Sequence, residues 1–117
     1  MILIKNPSVL KSLLSKNYHP LVIEIVLDVL SIASEVVITE GWREGKGVHS
    51  TDPCRGIDLR SWIYSARKLK EIQDYINLRW TYDPKRPTME CCVVHDVGKG
   101  VHLHLQVHPN TIRLVQN

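Results

Sequence analysis

The stretch Val101-His102-Leu103-His104-Leu105-Gln106-Val107 constrains this chain more than any other. Apolar and polar residues alternate along it without a break. Successive side chains of a strand point to opposite faces, so this period of two predicts a strand over 101–107. Val101, Leu103, Leu105 and Val107 then face a core, and His102 and His104 share the other face. A second strand over Cys91–His95 precedes it, joined by Asp96-Val97-Gly98-Lys99-Gly100, a loop of hairpin length. Pro109-Asn110 ends the strand, leaving residues 111–117 as an edge strand or a tail.

Upstream, the pattern changes to helical spacing. Asn6 as N-cap and Pro7 at the first helical position predict a helix over 6–17, with Leu10, Leu13 and Leu14 on its apolar side. His19-Pro20 opens a second helix that Ser34-Glu35 closes. Its apolar residues fall nearly all round, which predicts burial on most sides. Val36–Thr39 is β-branched throughout and reads as a strand. A glycine-rich loop (40–47) and an irregular segment (48–56) follow, then a short strand over Ile57–Arg60. A third helix is expected over 62–80, with Ile63, Leu69, Ile72 and Ile76 at helical spacing. The order of elements predicts an α+β fold, a small antiparallel sheet packed against helices. A chain of 117 residues makes one domain. Within it, residues 1–34 are N-terminal helices, 35–108 the core of the candidate site and 109–117 the terminal strand or tail.

Composition narrows the function classes. Hydrophobic residues at 44% and charged residues at 23% exclude global disorder. The net charge of +3 comes from scattered basic residues, not from a basic arm, so no nucleic-acid partner is expected. The most apolar run, Leu21–Ala33, carries Glu24 and Asp28 and is too short to span a bilayer, so no membrane partner is expected. The N-terminus has no basic segment leading into a long apolar one, the mark of a signal peptide. Three cysteines, two of them adjacent, make a poor disulfide framework and fit a reducing compartment. Cys91 and Cys92 alternate in their strand, which predicts one in the core and one exposed. Cys54 reads as a small loop residue.

The chemistry-bearing residues are mostly histidines, six in all. Two imidazoles on one strand face suit a divalent metal. His49 and Asp58 flank a loop that ends in a strand. Asp58 lies between Ile57 and Leu59, so it faces a cleft if that apolar pair faces the core. One Asp and two His, with water as fourth ligand, make a tetrahedral zinc site with an open position. Asp52 is an alternative carboxylate.

The stretches Ile38-Thr39-Glu40-Gly41-Trp42-Arg43, His49-Ser50-Thr51, Arg55-Gly56-Ile57-Asp58-Leu59-Arg60 and His102-Leu103-His104 together resemble the D-alanyl-D-alanine metallopeptidase family. That family comprises D,D-carboxypeptidases, D,D-dipeptidases and phage endolysins, and it shares its zinc fold with the Hedgehog signalling domain. The resemblance covers residues 36–107. It implies that His49, Asp58 and His104 bind Zn2+, that Arg43 binds a substrate carboxylate or carbonyl, and that His102 lines the site and stabilises the tetrahedral intermediate or moves protons. Trp42 would offer a substrate platform, and Ser50 would support the ligand loop.

The chain departs from the family pattern in three places. His49 and Asp58 are nine positions apart instead of seven, a loop insertion that only requires the end points to converge. Glu40 and Trp42 replace Ser and Tyr. Val101 stands where many members carry the acidic general base. Asp96, in the loop before the His-x-His strand, becomes the candidate base, with His102 an alternative and His95 a weaker one because it alternates to the other side. The resemblance implies a zinc peptidase acting on peptidoglycan stem peptides, either a D,D-carboxypeptidase or an endolysin-type endopeptidase. It would be phage or prophage encoded, monomeric, and held in the cytoplasm until release to the cell wall. The alternative is a catalytically inactive, zinc-stabilised binding or phage structural module.

Overall fold

Two proline-started helices lie near the N-terminus. The computed structural model describes residues 1–96 and 100–114, with the Asp96 side chain outside that description. Helix α1 spans Pro7–Ser15, and the Asn6 side chain accepts the Val9 N–H as its N-cap. Helix α2 spans Pro20–Ala33 and is capped by the His19 ring, which accepts from Leu21 N–H. Ser34 ends α2 in the left-handed region, at φ 57°. Helix α3 spans Ala66–Arg79, shorter than expected. Ser65 caps it by accepting from Lys68 N–H, so Ile63 lies before the helix and not on its apolar stripe.

The strands are β1 (Ile2–Ile4), β2 (Val36–Glu40), β3 (Gly56–Arg60), β4 (Trp80–Thr81), β5 (Cys92–Asp96), β6 (Val101–Gln106) and β7 (Ile112–Arg113). Five of them form one sheet in the order β1-β2-β3-β6-β5. The fold is α+β as expected, but the sheet is mixed. β1, for which no strand was expected, runs parallel to β2, and the other pairs are antiparallel. Three residues at the N-terminus carry too little pattern to announce a strand; the open edge of β2 recruits them. β7 pairs with β4 in a separate two-stranded ribbon. Arg113 ties that ribbon to α2 through Glu24 and Asp28, and Asp28 also accepts from the Trp80 indole.

Helices α2 and α3 cover one face of the sheet. Val22, Ile25 and Val29 of α2 and Ile72 and Ile76 of α3 pack on Ile57, Leu59, Leu103 and Leu105. All of these are fully buried, each contributing about 1.5–3 kcal/mol of burial free energy. Val107 is also buried, whereas Val101, at the far end of β6, is 47% exposed. Helix α2 is less enclosed than its composition implies, since Ile23 and Leu27 stay exposed on its outer side. Both Cys91 and Cys92 are buried, against the expectation of one exposed. Cys92 faces the core within β5. Cys91 lies just before that strand, against Thr111 of the returning C-terminal segment. Burial pushes both thiols up to about 12. No described helix is long and apolar enough to cross a membrane.

Candidate metal centre

The face of the sheet turned away from α2 and α3 holds the polar residues of β3 and β6. Asp58 pairs across the strands with His104, and Arg60 with His102. On the outer strand, Val93 pairs with His104 and His95 with His102. The alternation of β3 therefore sends Ile57 and Leu59 to the core and Asp58 to this face, where it is buried. His49 reaches the same point from a short 3-10 turn, Val48–Ser50. Its Nε2 lies 3.2 Å from Asp58 Oδ1, and His104 Nδ1 lies 2.7 Å from the same oxygen. One ligand atom from each of the three residues falls within 4.8 Å of the other two.

The partners behind these rings decide what the cluster can hold. His49 Nδ1 is 2.8 Å from the Gly41 carbonyl, which can only accept, so Nδ1 carries the hydrogen. Gln106 Nε2 donates to the Glu90 carbonyl at 2.7 Å, which turns Gln106 Oε1 toward His104 Nε2 at 3.1 Å. His104 Nε2 therefore also carries its hydrogen. In their neutral forms both imidazoles then aim a lone pair at Asp58 Oδ1, itself an acceptor. Three lone pairs meeting at one buried point call for a cation, either protons or a metal ion. Two nitrogens and one carboxylate oxygen, each ring oriented by an acceptor on its far nitrogen, fit a divalent transition metal. Burial opposes the Asp58 charge; only with the rings protonated toward it do the His104 and His49 contacts outweigh burial and hold the carboxyl well below the usual carboxylate range.

Several residues build this arrangement without touching it. The Trp42 N–H donates to both Ser12 Oγ and Tyr18 Oη, which fixes the loop that presents the Gly41 carbonyl. A Cβ at Gly41 would overlap the Tyr18 hydroxyl. A Cβ at Gly56 would lie 2.7 Å from Val48 Cγ2 and 3.3 Å from the His49 ring, so only glycine lets β3 pass beneath this histidine. The Arg43 N–H donates to the His49 carbonyl, and Ser50 Oγ donates to the Arg43 carbonyl at 2.8 Å. Ser50 thus braces the turn that carries His49.

The other expected residues are spread more widely. Asp52 is exposed and near Asn17, away from the cluster that Asp58 joins. Arg43 is half exposed and pairs with Glu40 at 3.3 Å. Trp42 lies under Lys16, whose Nζ is 4.0 Å from the ring centroid, and shares a cavity of about 290 Å³ with Ser50 and Asp52 that none of the three cluster residues lines. Cys54 is buried with its thiol toward the His49 and Gly56 carbonyls. Asp96 ends β5 opposite Val101, and its side chain lies outside the described residues. His95 was expected on the other side of its strand. Its ring centroid is instead 4.9 Å from that of His104. The cross-strand register explains the difference, because it pairs His95 with His102 on the cluster face. Burial, with the nearby His104, lowers the His95 pKa and favours the neutral ring.

Sequence reasoning missed Gln106 and the Gly41 carbonyl. Gln106 follows His102 and His104 at the same period of two, a signal that was present; the carbonyl leaves no trace in a residue pattern. Comparison with known proteins yields no match to any family model, curated protein or solved structure.

Proposed function

We propose that this chain is a zinc-dependent amide hydrolase acting on the stem peptides of peptidoglycan. The observation that carries the reading is the convergence of the His49, Asp58 and His104 lone pairs, with a carbonyl acceptor behind each ring. These three residues would hold the ion. When bound, such an ion acts as a Lewis acid that polarises a carbonyl and lowers the pKa of a water toward 7.

The chain's own residues supply the rest of the chemistry. His95 is the neutral imidazole beside the cluster and lines a cavity of about 360 Å³ with His104, Gln106, Val93, Met89 and Glu90. It is placed to take a proton and return it to a leaving amine. Asp96 remains the second candidate for that role. His102 lies farther along the same face, beside Arg60, where it can donate to a substrate carbonyl. The choice of peptidoglycan rests on the sequence resemblance, as does action at the cell wall after release from the producing cell.

The test pairs elemental analysis of the purified chain with digestion of purified peptidoglycan. One zinc per chain, lost in His104→Ala, together with release of peptide fragments, is the expected result. His95→Gln and Asp96→Asn should each keep the zinc, and the variant that loses turnover identifies the base. A second reading, a zinc-stabilised binding module, is favoured by Val101 standing where the family carries an acid. Retained zinc with no fragment release in the unmodified chain would select it.

A further inference from the structure

The open face of the sheet continues past the cluster toward β1 and β2. There a cavity of about 190 Å³ is lined by Lys5, Thr39, Arg60, Trp62 and His102. We infer that this cavity binds a carboxylate of the substrate, one that projects from a residue beside the bond to be cut. The inference rests on the reading of the cluster as a hydrolytic centre and adds the charge of the substrate to it.

Four observations carry it. Arg60 and His102 pair across the strands two residues from Asp58 and His104, so the cavity and the cluster share a face and adjoin. Lys5 and Arg60 bring two cationic side chains to one small concavity, and among the described residues neither forms an ion pair. The Arg60 guanidinium lies over the Trp62 ring, 4.7 Å from its centroid, while Trp62 itself is 74% exposed. Stacking holds the guanidinium plane and leaves its edge free for the paired hydrogen bonds that suit a carboxylate. The cavity is also smaller than the ~300–1,000 Å³ of sites that enclose a whole small ligand, so it fits one acidic group and not a complete molecule.

The opposite end of the face gives the direction. The cavity beside His95 and His104 is bordered by Glu90, which repels an anion. Arg43, the residue expected to hold a substrate carboxylate, instead pairs with Glu40 at 3.3 Å. An acidic substrate therefore lies with its carboxylate toward Lys5 and Arg60 and its remaining length toward Glu90.

The test measures binding of two blocked dipeptides, acetyl-Ala-Glu-amide and acetyl-Ala-Gln-amide, to the full chain as purified, by NMR titration. They differ by one charge. The acidic peptide should bind about tenfold more tightly, the worth of one charge-assisted hydrogen bond, and should shift the Trp62 indole N–H. The double variant Lys5→Gln/Arg60→Gln should bind both peptides equally while keeping its metal content and melting temperature. Equal affinities in the unmodified chain overturn the proposal, as does a preference that survives the double variant or disappears in Arg43→Gln. Peptidoglycan turnover measured alongside separates the two readings. A charge preference without turnover keeps this subsite and removes the hydrolase, and turnover with no preference does the reverse.

Discussion

Replacing Asp58 with Asn distinguishes a metal centre from a structural ion pair, because the two predict opposite results. If Asp58 is the buried partner of charged histidines, Asp58→Asn breaks a buried pair and costs about 3–5 kcal/mol. With about 2.1 cal/mol/K of unfolding entropy per residue over 117 residues, 1 kcal/mol moves Tm by about 4 °C, so that loss is a fall of about 12–20 °C. The geometry argues otherwise. His49 Nε2 and His104 Nδ1 face Asp58 Oδ1 as lone pairs, because their other nitrogens donate to Gly41 and Gln106. An asparagine amide turned toward them supplies the missing donor hydrogens and removes a buried charge. The metal-free variant at pH 8 should therefore melt within about 4 °C of the metal-free parent, a difference of no more than ~1 kcal/mol. Zinc at 100 times its dissociation constant should raise the parent by about 2.7 kcal/mol, or about 11 °C, and should leave the variant unmoved. Differential scanning calorimetry with and without zinc reads both quantities. A fall of more than 10 °C in the metal-free variant, or an equal zinc response in both proteins, would refute the assignment of the lone pairs.

Four further outcomes follow from particular contacts. Gln106→Leu removes the acceptor behind His104 and should weaken zinc binding about 10–100-fold, measured by competition with a chelator, whereas Gln106→Glu should restore most of it. Gly56→Ala drives a methyl group into Val48 and the His49 ring; it should cost about 1–3 kcal/mol by urea unfolding and also weaken zinc binding. Burial raises the Cys91 and Cys92 thiols to about 12, so at pH 8 iodoacetamide should label them only on unfolding, and labelling of the native chain at the rate of a free thiol would contradict their burial. Burial, with Arg55 nearby, lowers the His19 pKa, so the unfolded chain binds that proton more readily; stability is full above the unfolded value of about 6.5 and falls as pH drops through it. In metal-free protein, His19→Asn keeps an N-cap acceptor that does not titrate, so the parent's urea midpoint should fall relative to the variant's as pH drops from 8 to 5.

What the amino-acid sequence determined by itself is whatever depends on near neighbours. The alternation of residues 101–107 is enough to make β6 and to put His102 and His104 on one side of it. Asn6-Pro7 and His19-Pro20 are enough to start two helices, and Ile57-Asp58-Leu59 to turn one carboxylate away from the core. That pattern offered His102 and His104 alike; it was the family resemblance that singled out His49, Asp58 and His104 before any fold was known. The tertiary structure decided everything that joins distant segments. The parallel pairing of Ile2–Ile4 with β2 exists because an open sheet edge needs partners for its backbone, and nothing in three residues encodes that edge. The side on which His95 lies follows from its register with His102 across a hairpin, where a shift of one residue would reverse it. The tautomers of the two cluster histidines depend on carbonyl groups of Gly41 and Glu90, the second acting through Gln106. Every residue but proline has the same backbone carbonyl and N–H, so their use as site components becomes visible only when the folded chain brings them within hydrogen-bond reach.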